Sequence, residues 1–192
     1  MPSKKQSGDP QIYQFKITLK DLNPPVWRRV HLSNRMTLGD LHGMIQLTMS
    51  WDNSHMHQFK VGKTYYGSRY PEDFDGTTET QDEDKITVGE VLTKPKAKLT
   101  YEYDFGDSWE HEVVLEKVLS PETGVHYPIC IDGKRACPPE DCGGVWGYAN
   151  MLEVMKDPEH PEYEEMEEWL GEEFDPDAFS VEAVNKALRK IR

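Results

Sequence analysis

His55 and His57, in "HMHQFKVG", have the type and spacing to hold a divalent metal, because an i, i+2 pair on a strand sends both imidazoles to one face. Asp107 and His111 could complete the donor set, and a divalent metal is the cofactor such a set would take. The competing reading of His111 is a buried, hydrogen-bonded histidine among Tyr103 and Trp109. A second grouping, His126, Cys130, Cys137 and Cys142, is spaced by three, six and four intervening residues, with no "CxxC" pair. It reads either as a zinc set or as structural thiols. The third is "CGGVWG". Gly143 and Gly144 open a helix and leave backbone amides for an anion, with Lys134 and Arg135 close in sequence. The same position would lower the pKa of Cys142 and make it a candidate nucleophile. A turn hinge is the plain alternative for the two glycines.

"YDFGDSWEHEV", Tyr103 to Val113, contains "DFG" and "GDS", but neither has its context. No glycine-rich phosphate loop or "HRD" loop precedes the first, and no "GxSxG" elbow surrounds the second. The stretch reads as a hairpin. With Gly106, Asp107 and Ser108 as a three-residue loop, Phe105 opposes Trp109, Tyr103 opposes His111, Tyr101 opposes Val113 and Leu99 opposes Leu115, all on one face. The other face sets Asp104 against Glu110 and Glu102 against Glu112. That acidic ladder needs Arg28 or Arg29 from a neighbouring strand, or a docked cation or basic partner, to offset it.

The elements that must position these residues follow from periodicity. "IYQFKITL" alternates, with Tyr13, Phe15, Ile17 and Leu19 on one face; "LNPPV" turns the chain and "VWRRVHL" returns it. Thr37 can cap a helix carrying Leu38, Leu41, Ile45 and Met49, and strand character resumes at "HMHQFKVG". The fold class is therefore α+β: a mixed or antiparallel sheet with a β-grasp-like β-β-α-β start, a central hairpin at about 98–118 and a helical C-terminal extension. Residues 72–84 carry seven acids and read as a solvated excursion, followed by a short helix at "TVGEVL". "CIDGKRACPPEDCGG" should be loop. Three helices close the chain: "VWGYANMLEVM" with Val145, Tyr148, Ala149, Leu152 and Met155 as its stripe, "PEYEEMEEWLG", and "SVEAVNKALRKI" capped by Ser180. The expected organisation is a polar tail over 1–10 and one domain over 11–192, divided into a sheet core 11–119, a Cys/Pro/Gly loop 120–144 and a helical part 145–192.

With 35 acids against 22 bases the net charge is −13, which disfavours direct nucleic-acid binding. The sequence lacks both a signal-type N-terminal segment and an apolar run long enough to span a bilayer, and its three cysteines suit a reducing compartment, so a cytoplasmic protein is expected.

Taken together, "YEYDFGDSWEH", "YPICIDGKRACPPEDCGGVWGY", "DPEHPEYEEMEEW" and "FDPDAFS", with "ITLKDLNPPVWRRVHL" and "HMHQFKVG", resemble the plasmid pRiA4b ORF-3-like family from Ile12 onward. The resemblance implies a fold and a mobile-element setting rather than a mechanism, since some members are labelled resolvase-like passengers of insertion elements. The resolvase label fits this chain poorly. Residues 162–177 contain nine acids and no Lys or Arg, which suits a basic protein partner better than DNA. The expectation is a non-catalytic interaction or ligand-binding domain, for a protein partner or small ligand, recognised near the hairpin tip and "PPEDCGG". The alternatives are a metal-assisted or thiol-dependent hydrolase or nuclease, and an accessory protein in DNA recombination.

Overall fold

The computed structural model describes residues 9–68, 80–171 and 174–190. Among these residues eight strands form one sheet: β1 (Ile12–Leu19), β2 (Trp27–Ser33), β3 (His57–Val61), β4 (Thr64–Gly67), β5 (Thr80–Asp82), β6 (Lys98–Tyr103), β7 (Trp109–Leu119) and β8 (Ile129–Lys134). Their spatial order is β5-β4-β3-β6-β7-β1-β2-β8, antiparallel throughout except for the parallel pair β4·β5, which makes the sheet mixed. Five α-helices lie among the described residues: α1 (Leu38–Met49), α2 (Val88–Val91), α3 (Gly144–Val154), α4 (Tyr163–Leu170) and α5 (Val181–Leu188). No helix among the described residues is long and apolar enough to cross a membrane.

Alternation in β1 and β2 divides the sheet into two faces. Phe15, Ile17, Val30, Leu32, Tyr101, Trp109, His111, Val113 and Leu115 are fully buried on one, against Leu38, Leu41, Met44 and Ile45 of α1. Truncating Trp109 or Tyr101 to Ala would cost about 3–5 kcal/mol. The opposite face carries Lys16, Arg29, Glu110, Glu112 and Glu116, so the fold has two layers with one sheet face wet. Helix α1 starts as expected on a capping box, in which the Thr37 hydroxyl accepts from the Asp40 amide and the Asp40 carboxylate accepts from the Thr37 amide. Ser180 caps α5 with its hydroxyl alone, accepting from the Ala183 amide at 3.2 Å.

Several expectations shift in detail. The hairpin pairs Tyr103 with Trp109, Tyr101 with His111 and Leu99 with Val113, two residues out of the expected register. A slip of two preserves the faces, so the aromatic side is still buried, but the connection is five residues long and Phe105 is left 40% exposed. The expected 120–144 loop contains β8, which takes the open edge of β2 with Trp27 opposite Lys134 and His31 opposite Ile129. On its outer side Cys130 donates its amide to Asn185 Oδ1 and accepts from Asn185 Nδ2, both from α5. The buried stripe of α3 is Tyr148, Met151 and Val154, with Ala149 outside it. Residues 80–84 of the expected solvated excursion form β5 and the start of a short 3-10 turn whose Glu83 is only 2% exposed. Residues 72–79, like most of the expected tail, lie outside the described residues.

Candidate functional site

Three loops are tied together at one end of the sheet. The chain leaves α1 through Ser50 in the left-handed region and buries Trp51, whose indole stacks on Tyr103 at 5.0 Å between centroids and meets His111 edge-on at 5.4 Å. Trp51 Nε1 donates to the Pro138 carbonyl at 3.0 Å, which draws in the Pro-rich loop. The Asp52 amide donates to Glu140 Oε2 at 3.1 Å, and the Tyr103 hydroxyl donates to the other Glu140 oxygen. The hairpin turn closes the arrangement: the Asp104 amide donates to the Met56 carbonyl at 2.8 Å, and Asp104 Oδ1 accepts from the Gly106 amide at 2.9 Å. Burial and the Glu140 carboxylate push the Tyr103 phenol up to about 12.

The helix start at "CGGVWG" is filled from within. Asp107 Oδ2 accepts from the Gly143 amide at 3.1 Å, so the anion on this helix N-terminus is the protein's own carboxylate. Gly144 has φ +67°, and a Cβ there would sit 2.6 Å from the Asp107 carbonyl oxygen; glycine is needed both for the backbone and for the close approach of the hairpin tip. Arg135 is 9% exposed, forms an ion pair with Asp177 and lies beside the Tyr148 ring, whereas Lys134 ends β8 in solvent. Burial, then the Asp107 charge, pushes the Cys142 thiol up to about 12, the opposite of the shift expected from the helix start alone.

The four residues of the expected metal set are not brought together. His55 precedes β3 instead of lying in it, so the i, i+2 rule fails, and its Nε2 faces Asp104 and Asp141. His57 stacks on His42 of α1, with centroids 3.4 Å apart and planes 3° from parallel, and its Nε2 lies 3.0 and 3.1 Å from the two oxygens of Glu83. Asp107 caps α3, and His111 donates Nδ1–H to the Trp109 carbonyl inside the core. Among the described residues, one group of three potential ligands converges: His55, Asp104 and Asp141. His126 and the three cysteines form no such group.

The expected acidic ladder is shorter and better balanced than the sequence implies. Asp104 sits in the turn, Glu102 opposes Glu110, and Glu112 opposes Thr100. Lys20 pairs with Glu110, Lys98 with Glu112 at 2.6 Å, and Gln58 and Ser108 donate to Glu102 at 2.6 and 2.9 Å. Arg29 makes a two-pronged contact with Glu116, while Arg28 points the other way, buried, with its guanidinium bonded to the Thr48, Trp27 and Lys134 carbonyls.

Two of the several recesses that border the tied loops hold the ionisable and exposed aromatic side chains of interest. One, of about 260 Å³, is lined by His42, His55, His57, Asn53, Ser68 and Phe105. The other, of about 350 Å³, lies between α3 and α4 and is lined by Asp141, Cys142, Met151, Glu165, Met166 and Trp169.

The sequence matches the plasmid pRiA4b ORF-3-like protein family over residues 11–183. The chain belongs to that family. It is 34% identical over 179 residues to uncharacterized protein y4hQ of Sinorhizobium fredii, covering 92% of this chain and 90% of that one. It is 38% identical to the protein of unknown function MM3350 from Methanosarcina mazei, whose crystal structure superposes with a TM-score of 0.81 over 90% of this chain and 97% of the other. Neither name carries an activity.

Residues absent from the sequence reading supply much of this family member's site. His42, Glu83 and the exposed Trp169 stand outside every candidate grouping in the sequence, and Glu140 and Asp141 enter only as members of the "PPEDCGG" loop. The one available signal was His42 itself, an ionisable residue set against the apolar stripe of α1.

Proposed function

We propose that the chain is a non-catalytic recognition domain that binds a basic segment of a protein partner in the recess between α3 and α4. The observation that carries this reading is the composition of that recess: Met151, Met166 and a Trp169 that is 48% exposed form an apolar floor, and Asp141, Glu162 and Glu165 rim it. Tryptophan is a frequent anchor of protein interfaces, and methionine adapts its shape to varied partners. Helix α4 buries none of its own residues and carries Glu164, Glu165, Glu167 and Glu168 without a basic residue, so its field favours a cationic segment. The raised thiol of Cys142 at the edge of the recess offers a thiol-dependent reaction no support.

The test is a titration of the full chain with two synthetic amphipathic peptides of about 14 residues, one Lys/Leu and one Glu/Leu, followed by tryptophan fluorescence. Saturable binding of the basic peptide alone is expected, weakening with added salt, lost in Trp169→Ala and reduced several-fold in Glu162→Gln/Glu165→Gln. Equal binding of both peptides, or binding unchanged in Trp169→Ala, overturns the reading.

A further inference from the structure

Where the three loops meet, carboxylates from each of them surround one imidazole. His55 Nε2 lies 3.1 Å from Asp141 Oδ1 and 3.8 Å from Asp104 Oδ2, and the three donor atoms all fall within 4.8 Å of one another. Two ligands held about 2.1 Å from one ion stand about 3.0 Å apart at right angles and about 4.2 Å apart when opposed. The 3.1 and 3.8 Å separations from His55 fall in the range of ligands around a shared centre, and the third pair lies within 4.8 Å.

The histidine nitrogen supplies an independent observation. Its Nε2 is shielded from solvent and has no hydrogen-bond partner among the described residues, although an Asp141 oxygen lies 3.1 Å away. The nitrogen is therefore close to that oxygen without being aimed at it, as expected of two donors directed at a third point. Asp104 is 8% exposed, and its Oδ1 is fixed by the Gly106 amide, which leaves Oδ2 toward His55. Behind this trio the carboxyl groups of Asp52 and Glu140 lie against each other, with the Asp52 amide donating to Glu140 Oε2 at 3.1 Å. Four acids at this junction give a strongly negative potential, and among the described residues none of the four forms an ion pair with a Lys or Arg.

We propose that His55, Asp104 and Asp141 bind one divalent transition-metal ion, with solvent completing the coordination and Asp52 and Glu140 supplying surrounding charge. One imidazole nitrogen with carboxylate oxygens and no sulfur suits manganese, iron(II) or zinc better than thiolate-seeking ions. Because the ligands come from the loop after α1, the hairpin turn and the Pro-rich loop, the ion joins three segments distant in sequence. This site does not depend on the peptide recess, with which it shares only Asp141.

The probe is Mn²⁺ alone, added to untagged full-length chain stripped with chelator. Binding is followed by loss of the free-ion paramagnetic resonance signal and by thermal unfolding. One equivalent and a rise in the unfolding midpoint are expected. Asp141→Asn, an exposed change that leaves folding intact, should weaken binding at least about tenfold, and His55→Gln should abolish the rise in midpoint. Glu110→Gln on the far face should leave the affinity unchanged. Glu165→Gln should also leave Mn²⁺ binding unchanged while weakening the basic peptide, so the two proposals can fail separately. Absence of saturable Mn²⁺ binding up to the millimolar range, or binding that survives both Asp141→Asn and His55→Gln, overturns the proposal.

Discussion

His55 and His57 stand two residues apart and end in opposite surroundings. His57 enters a closed network: it stacks on His42 and faces Glu83, which also accepts from Ser68 at 2.9 Å. His42 in turn bonds the Tyr101 hydroxyl and Asn53 Oδ1, both at 2.7 Å, and Gln46 donates to the same hydroxyl at 2.9 Å. His55 instead faces carboxylates at a solvent-facing junction, with a nitrogen that bonds to none of them. A network whose polar groups bond one another contributes to the fold. A cluster of like charges contributes little to the fold and has capacity for a ligand.

Substitution of Glu83 is the most severe way to break this contrast. Glu83→Ala should cost about 3–5 kcal/mol in urea unfolding, because it strands the buried His57 side chain and leaves the half-buried Ser68 hydroxyl without its acceptor, whereas Asp141→Asn should change stability by less than about 0.5 kcal/mol without metal. Similar costs at the two sites would erase the distinction.

Acid should act on the same side of the contrast. Burial, and then the neighbouring His57, lowers the pKa of His42 from 6.5 to about 4, and burial does the same to His111. The unfolded chain takes up these protons first as pH falls, so stability is complete above about 6.5 and declines down to about 4, by roughly 3 kcal/mol for His42. Glu83, raised by burial but held low on balance by its His57 and Ser68 hydrogen bonds, adds a loss in the same direction at lower pH. The urea midpoint measured across this range should fall steadily, and His42→Gln should flatten the slope. A flat profile in the native sequence would mean that the histidines titrate as freely in the folded protein as in the unfolded one.

Gly144→Ala should cost about 1–3 kcal/mol, since it combines a left-handed backbone with contact against the hairpin tip, and it should loosen the open junction more than the closed network. Amide exchange faster in residues 104–108 than in 57–61 would show that asymmetry. The smallest effect is expected on the wet face. Glu110→Gln relieves repulsion with Glu102 but loses the half-exposed Lys20 pair, so the net change should stay within about 0.5 kcal/mol.

How much of this was legible depended on whether a residue's role is set by local period. The parity of the hairpin faces followed from alternation, and Thr37 and Ser180 capped helices because capping is read over three residues. The hairpin register missed by two, because a slip of two leaves every side chain on its own face and hydrophobicity cannot detect it. The site was hidden for a different reason. Asp107 reaches a helix start 36 residues away, Trp51 reaches Pro138, and Glu83 enters the sheet side from a stretch whose composition reads as solvent-facing. Long-range pairings of this kind leave no periodic trace in the sequence.

The carboxamide of Asn185 bears on how the molecule behaves at high concentration. The amide and carbonyl of Cys130 face away from β2, where another chain's strand could extend the sheet. One side chain of α5 satisfies both groups, imitating a single residue of a ninth strand and ending the series there. The same helix that covers the core therefore also occupies the edge at Cys130, where one asparagine takes the place that a pairing strand would need.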